Sequence, residues 1–178
     1  MKTLTLLRHA KSGWDDPGLR DFDRPLNQKG QRAALAVGRH LKSLGLVFDH
    51  VVASPAVRVT ETLDQVEAGY AGALAPAWDQ RAYLASVATL LDIIHELPVG
   101  AERALIVGHN PGLEELILFL VPDGGSLRDS VETKFPTASV AELRFDVARW
   151  SDVGAHDADL ICFIRPRDLD PALGPDRN

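Results

Sequence analysis

The sequence contains little cysteine and no long apolar run. Its single cysteine, Cys162, in 178 residues excludes an intramolecular disulfide and a cysteine-rich metal site. The longest apolar run, residues 116–122, is much shorter than the roughly 20 residues of a membrane-spanning helix. We see no secretory signal at the N-terminus and therefore expect a cytoplasmic protein. Cys162 lies in the apolar segment 160–164, where we expect a buried strand and a core thiol.

Basic residues are outnumbered by acidic ones, and the formal net charge is -6. This balance argues against nonspecific binding to nucleic acid. The charge is unevenly placed: residues 1–60 contain ten Lys or Arg and five Asp or Glu, whereas residues 61–178 contain nine and twenty. The N-terminal third is thus a basic block in an acidic protein. It is consistent with an anion site, or with a chance cluster on a solvated helix face.

Apolar strands alternate with amphipathic helices along the chain. The segments typical of strands are residues 4–7, 49–53, 104–107, 139–145 and 160–164. This alternation predicts an α/β fold with a mainly parallel central sheet flanked by helices in three layers. We expect one domain over residues 1–165 and a flexible tail over residues 166–178.

Four helix starts can be predicted from capping residues. Residues 28–44 place apolar side chains on one face, with Asn27 as a possible N-cap, and Ser86 is expected to cap a third helix. Ser54 and Asn110 each precede a proline, which is the pattern of an N-cap followed by the first turn. We expect residues 122–133, between the helix after Asn110 and the strand of residues 139–145, to form a loop.

Histidine and arginine side chains follow three of the predicted strands. Arg8 and His9 end the first strand, Arg58 lies just after the second, and His109 ends the third. Ligands of α/β sheets bind beyond the carboxyl ends of the strands. Guanidinium groups suit phosphate oxygens, and imidazole can attack phosphorus. We therefore expect one cleft that binds a phosphoryl group. The remaining histidines are interpreted as structural or surface residues: His40, His50, His95 and His156.

A metal site is not expected in this cleft. Zinc requires three or four nitrogen, sulfur or oxygen ligands, and the arginines beside His9 and His109 would repel a cation. We expect neither a metal nor another cofactor.

Four segments match the motifs of one enzyme family in order and spacing. They are Arg8-His9-Ala10, the Ser-Pro-x-x-Arg-x-x-x-Thr pattern of residues 54–62, the second-histidine motif of residues 107–112, and the Asp-x-x-Arg-Pro-Leu pattern of residues 21–26. The chain resembles the histidine phosphatase (phosphoglycerate mutase-like) superfamily, and the last motif and residues 135–138 resemble its SixA-type phosphohistidine phosphatases. The resemblance extends from residue 3 to about residue 165 and implies a phosphoglycerate mutase-like fold.

The resemblance also implies roles for individual residues. His9 matches the phosphorylated nucleophile, and Arg8, Arg58 and His109 match the rest of the phosphate pocket. Arg24 matches an additional phosphate-binding residue of the SixA-type subgroup. We further expect Asn27 or Ser54 to line the site.

An acidic proton donor is not evident. The two candidates are Asp79 and Asp21, and either could equally be a salt-bridge partner of Arg81 or Arg24. An alkoxide leaving group needs a positioned acid, whereas imidazole is weakly basic, with a free pKa of about 6.5. We therefore predict a phosphatase acting on phosphohistidine in a protein, with no nucleic-acid or membrane partner. The alternatives are a general phosphatase of small phosphate esters, a phosphoglycerate mutase, and a noncatalytic phosphoprotein-binding module.

Overall fold

The computed structural model describes residues 1–175, in which all strands join one sheet. The strands are β1 (Lys2–Arg8), β2 (His50–Ala53), β3 (Ala77–Trp78), β4 (Arg103–Gly108), β5 (Val140–Phe145) and β6 (Ala158–Ile164). Their order is β3-β2-β4-β1-β5-β6. The four strands from β3 to β1 are parallel, whereas β5 runs antiparallel to both β1 and β6. The mainly parallel sheet predicted from the sequence is confirmed.

Helices cover both faces of this sheet. They are α1 (Gln28–Ser43), α2 (Val57–Tyr70), α3 (Val87–His95), α4 (Gly112–Leu120), α5 (Ser126–Thr133) and α6 (Pro166–Leu169). Successive side chains of a strand point to opposite faces. Leu6 accordingly joins the core beneath α3, α4 and α5, and Leu7 joins the core beneath α1 and α2. The predicted three-layer α/β domain is thus confirmed.

The layer of α1 and α2 depends on close backbone contact. Gly38 of α1 lies against the carbonyl group of Val66, and Gly69 of α2 lies against the carbonyl group of Leu35. A Cβ at either glycine would overlap the facing carbonyl oxygen, so glycine is required for the two helices to pack at this distance. This packing fixes the N-terminal ends of α1 and α2 relative to β1 and β2.

Two predicted helix caps are confirmed and two are wrong. The Asn27 side chain accepts from Gly30 N at 2.8 Å, and the Ser86 side chain caps α3. By contrast, α2 begins at Val57, with Ala56 rather than Ser54 at the N-cap. The Ser54 hydroxyl accepts from Ala56 N at 3.3 Å, ahead of the helix, and also bonds to a histidine. Similarly, α4 begins at Gly112 with Pro111 at the N-cap, one residue later than the pattern at Asn110 predicts.

The expectations for two further segments are also wrong. Residues 126–133 of the predicted loop form α5, which is anchored by the fully buried Val131. The strand β6, expected to be buried, is at the edge of the sheet, and Cys162, expected in the core, is only half-buried. Apolar composition alone does not distinguish an edge strand from a central one.

The segment after β6 adds to the domain. Following α6, residues Pro171–Leu173 form a 3-10 turn, and Leu169 and Leu173 pack against the core beneath α1 and α2. The domain boundary at residue 165 stays a prediction, and residues 176–178 of the expected flexible tail lie outside the described residues. Within residues 1–175, no helix has the length and apolar character needed to cross a bilayer.

Candidate active site

Two imidazoles lie side by side where the central strands β1 and β4 end. Arg8 of β1 is in register with Gly108 of β4, and the His9 backbone N donates to the Gly108 carbonyl at 3.0 Å. The chain therefore leaves the sheet at adjacent points, and the rings of His9 and His109 have centroids 5.2 Å apart. The prediction that both histidines lie in one cleft agrees with this arrangement.

His9 is held as a neutral imidazole with one free nitrogen. Its Nδ1 lies 2.7 Å from the carbonyl oxygen of Ala10. A carbonyl oxygen only accepts, so Nδ1 carries the proton and Nε2 keeps its lone pair. Burial lowers the pKa of His9 to about 3, opposed by the Ala10 hydrogen bond and assisted by the neighbouring His109, Arg8 and Arg58. At neutral pH the ring is uncharged and nucleophilic at Nε2.

His109 is positioned by a buried hydroxyl group. Its Nε2 lies 2.8 Å from the Oγ of Ser54, which is fully buried behind it. Burial, followed by the charge of Arg58, lowers the pKa of His109 to about 3. Its Nδ1 is buried and has no hydrogen-bond partner among the described residues. His109 therefore has one nitrogen fixed by the protein and one whose hydrogen-bonding capacity is unused.

Asp21 holds two arginines at the mouth of the site. The Nη1 and Nη2 atoms of Arg58 donate to the Asp21 carbonyl oxygen at 2.7 Å and to its Oδ2 at 3.0 Å. Arg24 donates from Nε to Asp21 Oδ1 at 3.1 Å and from Nη1 to Ser12 Oγ at 2.9 Å. The Tyr83 hydroxyl also donates to Asp21 Oδ2. The Asp21 carboxylate is thus the centre of the network that fixes both guanidinium groups.

This network keeps Asp21 ionised. Burial alone would raise its pKa, but the hydrogen bonds from Tyr83 and Arg58 lower the pKa to about 2. A carboxyl group with that pKa carries no proton at neutral pH. In the geometry described, Asp21 therefore acts as an anchor for arginines and has no proton to give.

Arg8 completes the cationic wall. Its Nη1 donates to the Phe135 carbonyl oxygen at 3.0 Å, and Asn110 Nδ2 donates to the same oxygen at 2.9 Å. Among the described residues, the Nε atoms of both Arg8 and Arg58 are buried without a partner. A buried donor without a partner is costly. Bound oxyanions commonly satisfy guanidinium donors of this kind.

These side chains surround a cavity of about 340 Å³, which we call the phosphate pocket. Arg8, His9, Arg58 and His109 all line it, together with Arg24, as the sequence predicted. Asp21 is the only carboxylate among its described lining residues. In the described part of the chain, no three His, Cys, Asp or Glu side chains are grouped as a metal site. The pocket combines cations with neutral imidazoles, an arrangement that suits a tetrahedral oxyanion.

Three other predicted residues lie apart from this pocket. Asn27 is engaged as the N-cap of α1, so it does not line the phosphate pocket. Ser54 reaches the site only through His109. Asp79 caps the 3-10 turn Gln80–Ala82 and pairs with Arg81 at 2.8 Å, outside the pocket. The salt-bridge alternatives for Asp21 and Asp79 are therefore the arrangements that the structure contains.

Six polar or aromatic residues at the site were not predicted from the sequence. Lys11, Ser12, Asn110 and Thr137 lie in or beside the recognised motifs, and this position was an available signal. Tyr83 and Trp14 had no such signal, because their positions depend on the folded loops. Trp14 is 72% exposed, and the Arg24 guanidinium carbon lies 3.5 Å from its ring centroid, so the indole covers one side of the pocket mouth.

Known proteins are similar to this chain in both sequence and structure. The model of the histidine phosphatase superfamily (branch 1) matches residues 4–81. An uncharacterized protein of Mycobacterium tuberculosis is 34% identical over 165 residues, covering 90% of this chain and all of the relative.

Solved structures extend the similarity over nearly the whole fold. A candidate phosphohistidine phosphatase SixA from Nakamurella multipartitia has a TM-score of 0.81 at 30% identity, covering 93% of this chain and 96% of its own. The protein histidine phosphatase SixA complexed with tungstate shares the fold, with a TM-score of 0.77 at 19% identity, covering 94% of this chain and 99% of its own. The chain belongs to the histidine phosphatase superfamily and resembles its SixA-type members over more than nine-tenths of its length.

Proposed function

We propose that the protein removes phosphate from phosphohistidine in a protein substrate, through a phosphoryl intermediate on His9. The observation that carries the proposal is the pair of neutral imidazoles, 5.2 Å apart, within a wall of arginines. His9 presents Nε2 as a free lone pair, because Ala10 fixes its proton on Nδ1. A pocket that only bound phosphate would need the cations but not this nucleophile.

In the first step, His9 Nε2 attacks phosphorus in line with the departing group. A bond forms between Nε2 and phosphorus, and the bond from phosphorus to the substrate nitrogen breaks, leaving its electron pair on that nitrogen. The charge on the three equatorial oxygens is stabilised by Arg8 and Arg58, which is the main task in phosphoryl transfer. His109 contributes a hydrogen bond from Nδ1 when Ser54 donates to its Nε2.

In the second step, water displaces His9 from phosphorus. The bond between phosphorus and Nε2 breaks, and its electron pair returns to the imidazole. With Nδ1–H still bonded to the Ala10 carbonyl group, the phosphorylated ring is cationic and becomes neutral imidazole on leaving. Both protons of the water remain on the released dihydrogen phosphate, so the cycle closes without a further proton carrier. In this scheme the arginines supply the positive charge, and no metal is required.

The ionised state of Asp21 favours phosphohistidine over alkyl phosphates. Alkoxide leaving groups need a proton from a positioned acid, and Asp21, with a pKa of about 2, has none to give. A phosphoimidazole whose second nitrogen is protonated departs as neutral imidazole and needs no acid. The ionisation states of the side chains in the pocket therefore favour phosphohistidine as the substrate.

A substrate panel tests the proposal. Wild-type protein and His9→Ala are assayed on a phosphohistidine phosphotransfer protein, p-nitrophenyl phosphate and glycerol phosphate, with and without a chelator. We expect kcat/KM to be highest for the phosphoprotein, unaffected by the chelator, and abolished in His9→Ala. The matched control is His156→Asn, which changes an exposed histidine in the loop before β6, and we expect it to keep full activity. A preference for glycerol phosphate over the phosphoprotein would favour a general phosphatase and contradict the proposal.

A further inference from the structure

A second cavity of about 360 Å³ lies beside the phosphate pocket, and we call it the basic pocket. Arg8, Lys11 and Thr137 line both cavities, so the two share a wall. A ligand with its phosphoryl group in the first cavity is therefore within reach of the second. The mechanism proposed above makes no use of this second cavity.

The basic pocket concentrates positive charge in an acidic protein. Its cationic lining residues are Arg8, Lys11, Lys29, Lys134, Arg165 and Arg167. Within the described part of the chain, the lining contains no Asp or Glu, although the protein as a whole has a net charge of -6. These cations lie in or just after β1, at the start of α1, just after α5, and in or just before α6. Folding thus gathers like charges that are remote in sequence, at an electrostatic cost.

Local contacts offset only part of this charge. Asp168 pairs with Arg165 at 2.8 Å. Arg8 donates to the backbone carbonyl group of Phe135, which has no formal charge. Lys134 and Arg167 are exposed at the edge of the pocket. The cavity therefore keeps a positive potential that favours an anionic ligand.

The lining of the basic pocket is also partly apolar. Ala33, Pro136 and Leu173 contribute to it alongside the cations. A glutamate or aspartate side chain combines an apolar stem with a terminal carboxylate, and so matches a lining that is both apolar and cationic. Two adjoining cavities of about 340 and 360 Å³ also exceed what one small phosphate ester fills.

We infer that the basic pocket binds acidic side chains of the phosphorylated protein while its phosphohistidine occupies the phosphate pocket. The inference rests on the proposed function, since both cavities then hold one substrate molecule. The protein selects phosphohistidines that have carboxylates nearby in the substrate, and this selection uses cations outside the catalytic set, Lys134 and Arg167 among them.

Two phosphohistidine peptides that differ only in having glutamates or glutamines beside the phosphohistidine test the inference. We expect wild-type protein to prefer the glutamate peptide in kcat/KM. In the double variant Lys134→Glu/Arg167→Glu, the ratio of the two kcat/KM values falls about tenfold, as expected for two reversed charges of exposed ion-pair strength. Raising the salt from 0.05 to 0.5 M lowers the ratio in wild type, because the Debye length shortens below ~10 Å.

The matched control is Arg39→Glu/Lys42→Glu. It makes the same change in net charge on exposed positions at the other end of α1, outside both cavities. We expect the ratio in this control to equal that of wild type. An equal loss in both double variants would show a general effect of charge and would overturn the inference.

Three further outcomes separate the inference from the proposed function. If wild type hydrolyses both peptides equally, the basic pocket does not bind acidic side chains of the substrate. The inference is then wrong, and the proposed function stands. If it hydrolyses neither peptide, the proposed function fails and the inference fails with it. If propanediol bisphosphate is preferred to propyl phosphate while the peptides are equal, a small molecule occupies the pocket, which also overturns the inference.

Discussion

The substitution Asp21→Asn separates a positioning role from a proton-donating role. The change keeps the size of the side chain and removes its charge. Arg58, whose side chain is 3% exposed, would lose the carboxylate partner described above, and Arg24 would lose the same partner. The amide can still accept from one donor, but its NH2 group faces a guanidinium donor.

The expected loss follows from the hydrogen bonds of Asp21. Bonds to charged groups contribute about 1.5–3 kcal/mol each. The Asp21 side chain is 40% exposed, so solvent screening places the effect near the lower limit. A loss of about 1.4 kcal/mol corresponds to a tenfold fall in kcat/KM. Because Asp21 carries no proton at neutral pH, the fall should be the same for every leaving group.

The assay compares kcat/KM for aryl phosphate, glycerol phosphate and a phosphohistidine peptide. Asp23→Asn is the matched control, since Asp23 lies with Asp21 in the 3-10 turn Asp21–Asp23 and pairs with the exposed Arg20 at 2.8 Å. The control should differ from wild type by less than about twofold, as expected for an exposed ion pair. A loss in Asp21→Asn that is about tenfold for the aryl ester but increases steeply for glycerol phosphate would identify Asp21 as the acid and refute our reasoning.

Three further predictions concern stability and the second histidine. The free energy of unfolding should fall as the pH drops from about 6.5 to 3, by up to ~1.4 kcal/mol per pH unit for each of His9 and His109. In this range the two histidines are protonated in the unfolded chain but remain neutral in the folded protein, where burial lowers their pKa to about 3. Urea titrations should show a shallower fall in His9→Asn. Gly38→Ala should cost about 2–3 kcal/mol, since a Cβ there overlaps a carbonyl group of α2, whereas Gly100→Ala, with open space around it, should be near neutral in thermal unfolding. Ser54→Ala should lower kcat by about tenfold with a smaller change in KM, because His109 loses a buried hydrogen bond worth about 1–2 kcal/mol; an unchanged kcat would contradict its positioning role.

The order of strands and helices was predictable because apolar periodicity is local. Residues 104–107 are all apolar, and residues 4–7 are apolar except for Thr5; these segments form the central strands β4 and β1. Periodicity does not encode which strand is at an edge, so the exposure of Cys162 was not foreseen. The start of α2 was also misplaced. The Ser54 hydroxyl accepts from Ala56 N, ahead of the helix, and bonds to His109, 55 positions away, which no local pattern indicates.

The core of the site was predictable for a different reason. His9 and His109 follow neighbouring parallel strands, so the fold class alone brings them together once the strands are recognised. The link between Asp21 and Tyr83 spans 62 positions and depends on how two loops pack, for which no local pattern exists. The ionisation state of Asp21 follows from that packing, and the sequence therefore left it open as a proton donor.

Trapping the phosphorylated enzyme tests the central claim most directly. Wild-type protein is mixed with a substrate bearing labelled phosphate, quenched in alkali within milliseconds, and its peptides are mapped by mass spectrometry. The account predicts label on the imidazole of His9, none in His9→Ala, and release of the label at a rate no slower than kcat. Label on another residue, or turnover by His9→Ala at a rate near that of wild type, would contradict it.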